Sequence, residues 1–212
     1  MIRFVDVSAG YGTEEEPVFS HLNETIEDGE FVLVTGESGV GKSTFVRLLL
    51  RELVPLAGQV LVDGQDLALL KRRQLPAYRL KLGVVFQDYR LIPDRSAYEN
   101  VKLARLVAGG KSKGTDQMIC SLFSLFGITE LYQRYPGEMS GGQQQKVCLA
   151  RAMMNYPRYL LADEPTGNLD PEASREIMKF LELVHRQGTT VIAVTHDLEA
   201  AEGLACRRIE LS

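Results

Sequence analysis

"GESGVGKST", Gly36 to Thr44, follows the apolar run Phe31-Val32-Leu33-Val34 and precedes Phe45-Val46-Arg47-Leu48-Leu49-Leu50. The order is strand, glycine turn, helix. Gly36, Glu37, Ser38, Gly39, Val40, Gly41, Lys42 and Ser43 satisfy the phosphate-binding loop pattern, in which glycines let backbone N–H groups close round phosphate and the following helix presents its positive end. Lys42 is placed to reach β and γ phosphates, Ser43 to ligate Mg²⁺ and Thr44 to touch the α phosphate.

The chain around this loop has 212 residues, 45% of them apolar, enough for one domain with a sizeable core. A net charge of -4 argues against a partner that is mainly nucleic-acid backbone, which demands a basic face. Cys120, Cys148 and Cys206 lie far apart with no CxxC pair, so neither zinc nor a disulfide framework is expected, and the setting is a reducing cytosol. No basic-then-apolar leader opens the chain, and no apolar run approaches the roughly 18 residues that span a bilayer. Any membrane association then comes through a partner.

Further strands are predicted at Ile2 to Val7, Val18 to Ile26 with a polar break, and Gln59 to Val62, and after Leu82 to Phe86 the pattern changes. Leu103, Leu106, Val107, Met118, Leu122, Leu125 and Phe126 then fall at helical spacing, and Gly109 to Thr115 is expected to be a surface loop. Tyr159 to Ala162 and Thr190 to Val194 are near-continuous apolar segments with polar residues at their carboxyl ends, as in buried parallel strands that meet a ligand. The fold is therefore α/β, with a helical segment of about Ala97 to Tyr135 inserted between its motifs.

Asp163 ends one of these strands, where a second Mg²⁺ contact is needed, and Glu164 beside it can deprotonate an attacking water. Alone, Asp-Glu after a strand equally fits a solvated turn; the phosphate loop shifts the balance. Ser140, Gly141, Gly142 and Gln143, in "MSGGQ", open a second helix whose end can bind an anion. One nucleotide does not need two cradles, so the second is expected to serve the ATP of another copy in a head-to-tail pair. His196 follows an apolar strand between Thr195 and Asp197, favouring a γ-phosphate contact, whereas His21 and His185 are taken as surface residues.

"GESGVGKST", "MSGGQ", "YLLADEP" and "VTHD" stand in the order found in the ATP-binding subunits of ABC transporters, which the sequence resembles over essentially its whole length. The resemblance implies a P-loop NTPase of the ABC ATPase fold. Residues 1–96 and 136–212 would form a RecA-like catalytic core with an N-terminal antiparallel β subdomain, and 97–135 an α-helical subdomain. It implies ATP hydrolysis with Mg²⁺ held by Ser43, Gln87 and Asp163, and Glu164, His196, Lys42 and Gln87 at the reacting phosphate. Tyr11 resembles the aromatic that stacks on adenine. Ser140 to Gln143 resemble the signature that contacts the other subunit's nucleotide, and Gly167 to Asp170 the loop that couples the two sites.

"QDYRLIPDRSAYENV", Gln87 to Val101, and "DEPTGNLD", Asp163 to Asp170, most resemble the cell-division branch of the family. That branch implies a second copy in an ATP-sandwich dimer, an FtsX-like integral membrane partner, a place at the cytoplasmic face of the membrane, and control of peptidoglycan hydrolysis. Relatives that power lipoprotein release or efflux share the second motif, and a soluble ATPase acting on nucleic acid or ribosomes is the more distant alternative. Gln143 and Lys146 depart from the Glu and Arg usual in the cell-division branch. Tyr89, Leu91, Ile92 and Tyr98, rimmed by Arg90, Asp94 and Arg95, offer a surface for that partner. The cluster Lys71-Arg72-Arg73 with Arg79 and Lys81 is expected to be a solvated helix face.

Overall fold

In the computed structural model, residues 1–11, 16–37, 39–110 and 114–211 are described. Ser38 and residues 111–113 of the loop expected at Gly109 to Thr115 lie outside them. Strands β1 (Ile2–Ala9), β2 (Phe19–Ile26), β4 (Ala57–Val62) and β5 (Gln65–Asp66) form an antiparallel sheet in the order β2-β1-β4-β5. Asp63 and Gly64, both at positive φ, make the tight turn between β4 and β5.

The second sheet is parallel. Strands β3 (Phe31–Thr35), β6 (Leu82–Val85), β7 (Tyr159–Asp163), β8 (Thr190–Val194) and β9 (Arg207–Glu210) run in the order β6-β7-β8-β3-β9. Its central strands are apolar throughout because both faces are covered. Phe31, Leu33, Leu160, Ala162, Val191 and Ala193 face one core. The alternate residues Val32, Val34, Tyr159, Leu161, Ile192 and Val194 face the other, against helix α1 (Lys42–Leu49) and the antiparallel sheet.

Helices α2 (Leu75–Arg79), α3 (Ala97–Val107), α4 (Thr115–Leu125), α5 (Gly141–Met153) and α6 (Pro171–Arg186) complete the order. Ser96 and Glu99 cap α3 reciprocally: Ser96 Oγ accepts from the Glu99 N–H at 3.3 Å, and Glu99 returns the bond to the Ser96 N–H at 2.9 Å. In α6, buried Ser174, Ile177, Met178, Leu181 and Val184 recur at helical spacing and turn one face to the core. His185, expected at the surface, is half-buried and packs on Phe31 with ring centroids 5.7 Å apart.

Phe123 of α4 is fully buried and meets Tyr132 edge-on at 5.6 Å. Phe123→Ala is expected to cost about 3–5 kcal/mol, because truncation removes buried area and leaves a cavity. Urea unfolding measures this, and a loss below about 1 kcal/mol would contradict the packing described.

Candidate active site

Parallel strands put their carboxyl ends on one edge of a sheet, where α/β proteins bind ligands. Here the loop after β3, Gln87 after β6, Asp163 and Glu164 at the end of β7, and His196 after β8 share that edge. Tyr11, Val18, Gly39, Gly41, Lys42, Ser43, Thr44, Gln87 and Glu164 line a cleft of about 360 Å³ there.

The loop depends on its glycines. Gly41, at φ 105°, precedes α1, and a Cβ on it would stand 2.7 Å from both Phe19 and Val18. Gly36, at φ 149°, would carry a Cβ 2.7 Å from the Leu211 carbonyl oxygen and the Val40 side chain. Only glycine lets the chain pass so close to these neighbours in these conformations. Lys42 folds back on the loop, its Nζ donating to the carbonyls of Gly36 at 2.8 Å and Glu37 at 2.9 Å. Those carbonyls hold an ammonium at the mouth of the cleft.

Tyr11 is 55% exposed, and its hydroxyl shares a hydrogen bond of 3.0 Å with Thr44 Oγ1. Arg47, one turn along α1, stands over the same ring at 5.4 Å from its centroid. Neither Val18 in the lining nor Arg47 over Tyr11 was anticipated from sequence. No local motif marks them, because Val18 arrives just ahead of β2 and Arg47 on α1.

Glu164 takes a left-handed backbone conformation, φ 45°, with its N–H bonded to the Val194 carbonyl at 2.8 Å. Such a conformation in a bulky residue is costly and concentrates at functional sites. Its carboxylate accepts the His196 backbone N–H at 3.3 Å and meets His196 Nδ1 at 2.9 Å. The side chain is only 15% exposed, while that of His196 is 67% exposed. Burial, then the charge of adjacent Glu164, pushes the Asp163 carboxyl above its ordinary range. Of the residues expected to hold Mg²⁺, Ser43 and Gln87 line the cleft together with the Glu164 carboxylate, oxygen donors of the kind a hard divalent cation takes, whereas Asp163, next to Glu164 at the end of β7, is not among the lining residues.

Ser140 to Gln143 do not line this cleft. They begin α5, where Ser140 Oγ accepts from the Gln143 N–H at 3.3 Å and Gln143 accepts from the Ser140 N–H at 2.9 Å. Gln143, in place of the expected Glu, thus completes the reciprocal cap through its amide oxygen. Asp170 also stands outside the cleft, its carboxylate accepting the N–H groups of Glu172 and Ala173 at the start of α6. The loop before it touches the glutamine segment: Asn168 Nδ2 donates to the Gln87 carbonyl at 3.2 Å.

Arg151 stands in no local motif and was not anticipated from sequence. From α5 its guanidinium donates to the carbonyls of Tyr89 at 2.7 Å and Arg90 at 2.5 Å, where both residues are at positive φ. The buried Cys148 thiol adds a bond to the Tyr89 carbonyl at 3.0 Å, and burial pushes that thiol up to about 12, so it stays protonated. The helix that begins with Ser140 is therefore fastened to the segment that follows Gln87.

A protein-family model described as ABC transporter matches residues 19–167. The cell division ATP-binding protein FtsE of Mycobacterium tuberculosis is 42% identical over this whole chain and 92% of its own length. FtsE of Bacillus subtilis is 42% identical over 90% of this chain and 83% of its own, and FtsE of Escherichia coli K12 is 36% identical over 100% and 95%. Among solved structures, a dimeric post-hydrolysis state of the ATP-binding cassette MJ0796 bound to ADP and Pi superposes with a TM-score of 0.88. It is 34% identical and covers all of this chain and 94% of its own. With its phosphate loop and acidic strand end on one cleft, and this similarity along its full length, the chain belongs to the ABC transporter family as an ATP-binding cassette that hydrolyses ATP.

Proposed function

We propose that this chain is the ATPase of an FtsEX-type complex, which couples MgATP binding and hydrolysis to motion in an FtsX-like integral membrane protein and so regulates peptidoglycan hydrolysis in cell division. The observation that carries this reading is the 36–42% identity with FtsE proteins over 90–100% of this chain. In this reading residues 97–135 form a helical subdomain against a core of 1–96 and 136–212. The chain sits at the cytoplasmic face of the membrane through its partner; no helix among the described residues is long and apolar enough to cross a membrane.

In the proposed cycle Tyr11 stacks on adenine, and Gly36 to Thr44, Ser38 among them, wrap the phosphates. Lys42 exchanges the Gly36 and Glu37 carbonyls for β and γ phosphate oxygens, a charge-assisted contact that favours ATP over loop carbonyls. Ser43, Gln87 and Asp163 would hold Mg²⁺, which when bound neutralises charge on the phosphate oxygens. Glu164 orients and deprotonates the attacking water, while His196 fixes the carboxylate and reaches toward the γ phosphate. Ser140 to Gln143 and Asp170 act across the interface with a second copy.

Ile92, Asp94, Arg95, Tyr98, Glu99, Lys102, Leu103 and Leu106 line a groove of about 640 Å³, the proposed seat of a short helix from the membrane partner. Arg90, expected on its rim, is instead held over the Phe86 ring at 3.7 Å and paired with Asp88. The test is a pull-down from native membranes with the Glu164→Gln protein and MgATP, read by mass spectrometry. An FtsX-like protein is the expected catch; a lipoprotein-release or efflux permease would move the function to that branch.

A further inference from the structure

Residues 67–87 contain no Asp or Glu in a chain that has 28 of them, yet include Lys71, Arg72, Arg73, Arg79 and Lys81. The structure turns this segregation into a surface. Two grooves flank α2. One, of about 510 Å³, is lined by Arg72, Leu75, Pro76, Arg79, Leu80 and Val107. The other, of about 410 Å³, is lined by Gln65, Leu70, Arg73, Gln74, Ala77, Tyr78 and Lys81. Neither has a carboxylate in its wall.

The cations differ in how far they are already used. Lys81 is paired with Asp63 at 2.7 Å, and Arg79 donates Nε to the Leu50 carbonyl at 3.2 Å. Lys71, Arg72 and Arg73 are exposed and take part in none of the ion pairs among the described residues. Apolar side chains protrude beside these charges: Val107, 78% exposed, lines the groove with Arg72 and Arg79, and Leu69, 77% exposed, stands two residues before Lys71. A solvated helix face accounts for the arginines but not for the leucine and valine raised beside them.

We propose that this face docks on an anionic phospholipid surface. A protein partner would have to offer a matching pocket for each raised apolar side chain, whereas a bilayer interface accepts them wherever they fall and supplies the negative charge. Continuity supports the placement. Leu103 and Leu106 of α3 line the groove proposed for the membrane protein, and Val107, the next residue, lines the basic groove. That adjacency bears on the lipid contact only through the proposed partner site, whereas the charge and exposure stand apart from it.

The experiment sediments the full chain, without any partner, with vesicles of phosphatidylglycerol and phosphatidylcholine or of phosphatidylcholine alone. Binding is expected only to the anionic vesicles and is expected to fade as salt is raised, since surface charges are screened. Replacing both Arg72 and Arg73 by Gln should lower the partition coefficient roughly 30-fold, from about fivefold for each cation near the surface. Arg72→Lys with Arg73→Lys should keep it. Leu69→Ser should lower it roughly tenfold at every salt concentration, because it removes apolar burial instead of charge. These variants should match the parent in ATP turnover and urea midpoint, which separates lost docking from lost folding. Equal binding to neutral vesicles, no binding to anionic ones, or an unchanged Gln variant would overturn the proposal. Failure here with an FtsX-like protein still captured in the pull-down would sink the lipid contact and leave the proposed function standing.

Discussion

Replacing Glu164 by Gln is expected to lower ATP turnover by roughly 10²–10⁴-fold, the range a positioned general base contributes. The amide keeps the size of the side chain and its packing beside His196 but cannot take a proton from water. ATP affinity should hold, because Lys42 and the loop glycines are untouched. Turnover measured under saturating MgATP tests the first point and size-exclusion chromatography a second. If ATP closes two copies and hydrolysis reopens them, the blocked protein should accumulate as a dimer. Turnover within tenfold of the parent would remove Glu164 from the role of base.

Ser140→Arg is expected to be as damaging on its own, at roughly 10²–10³-fold, the cost of losing one preorganised donor set at a reacting oxyanion. The more informative result comes from mixing. Ser140 does not line the cleft of its own chain, so its partner nucleotide must belong to a second copy if it contacts one at all. In a mixed pair of the Ser140→Arg and Glu164→Gln chains, one composite site has an intact Glu164 from the first and an intact Ser140 from the second. The other site carries both lesions. Mixing two inactive proteins should therefore restore turnover, and each chain can still bind ATP at its own loop. Activity no greater than the sum of the separate proteins would exclude the shared site. The dimeric state of the similar cassette MJ0796 fits the shared arrangement.

The chemistry that these experiments address was largely visible in the sequence, for a physical reason. Phosphate must be met by backbone N–H groups, so the loop needs glycines at set spacing and a helix behind it, and that need is written in adjacent residues. Strands buried on both faces need unbroken apolar runs, which made Tyr159 to Ala162 and Thr190 to Val194 legible as parallel strands with Asp163, Glu164 and His196 at their ends.

Other features could be decided only by the tertiary structure, because they depend on what packs from elsewhere in the chain. Arg47 lies over Tyr11, and Arg151 holds the left-handed pair Tyr89 and Arg90 from a helix far along the sequence. His185 follows no apolar strand as His196 does and reads as a surface residue, yet packing of α6 carries it against Phe31. The basic run from Lys71 to Lys81 illustrates the same limit. Its charge is countable in one dimension, but the grooves beside α2, one of them lined also by Val107 from the end of α3, arise only in the folded chain. The sequence determined where a phosphate-loop pattern and the polar strand ends lie, since those patterns are local; the fold decided which surfaces carry charge and apolar atoms together, since exposure is a property of the packed whole.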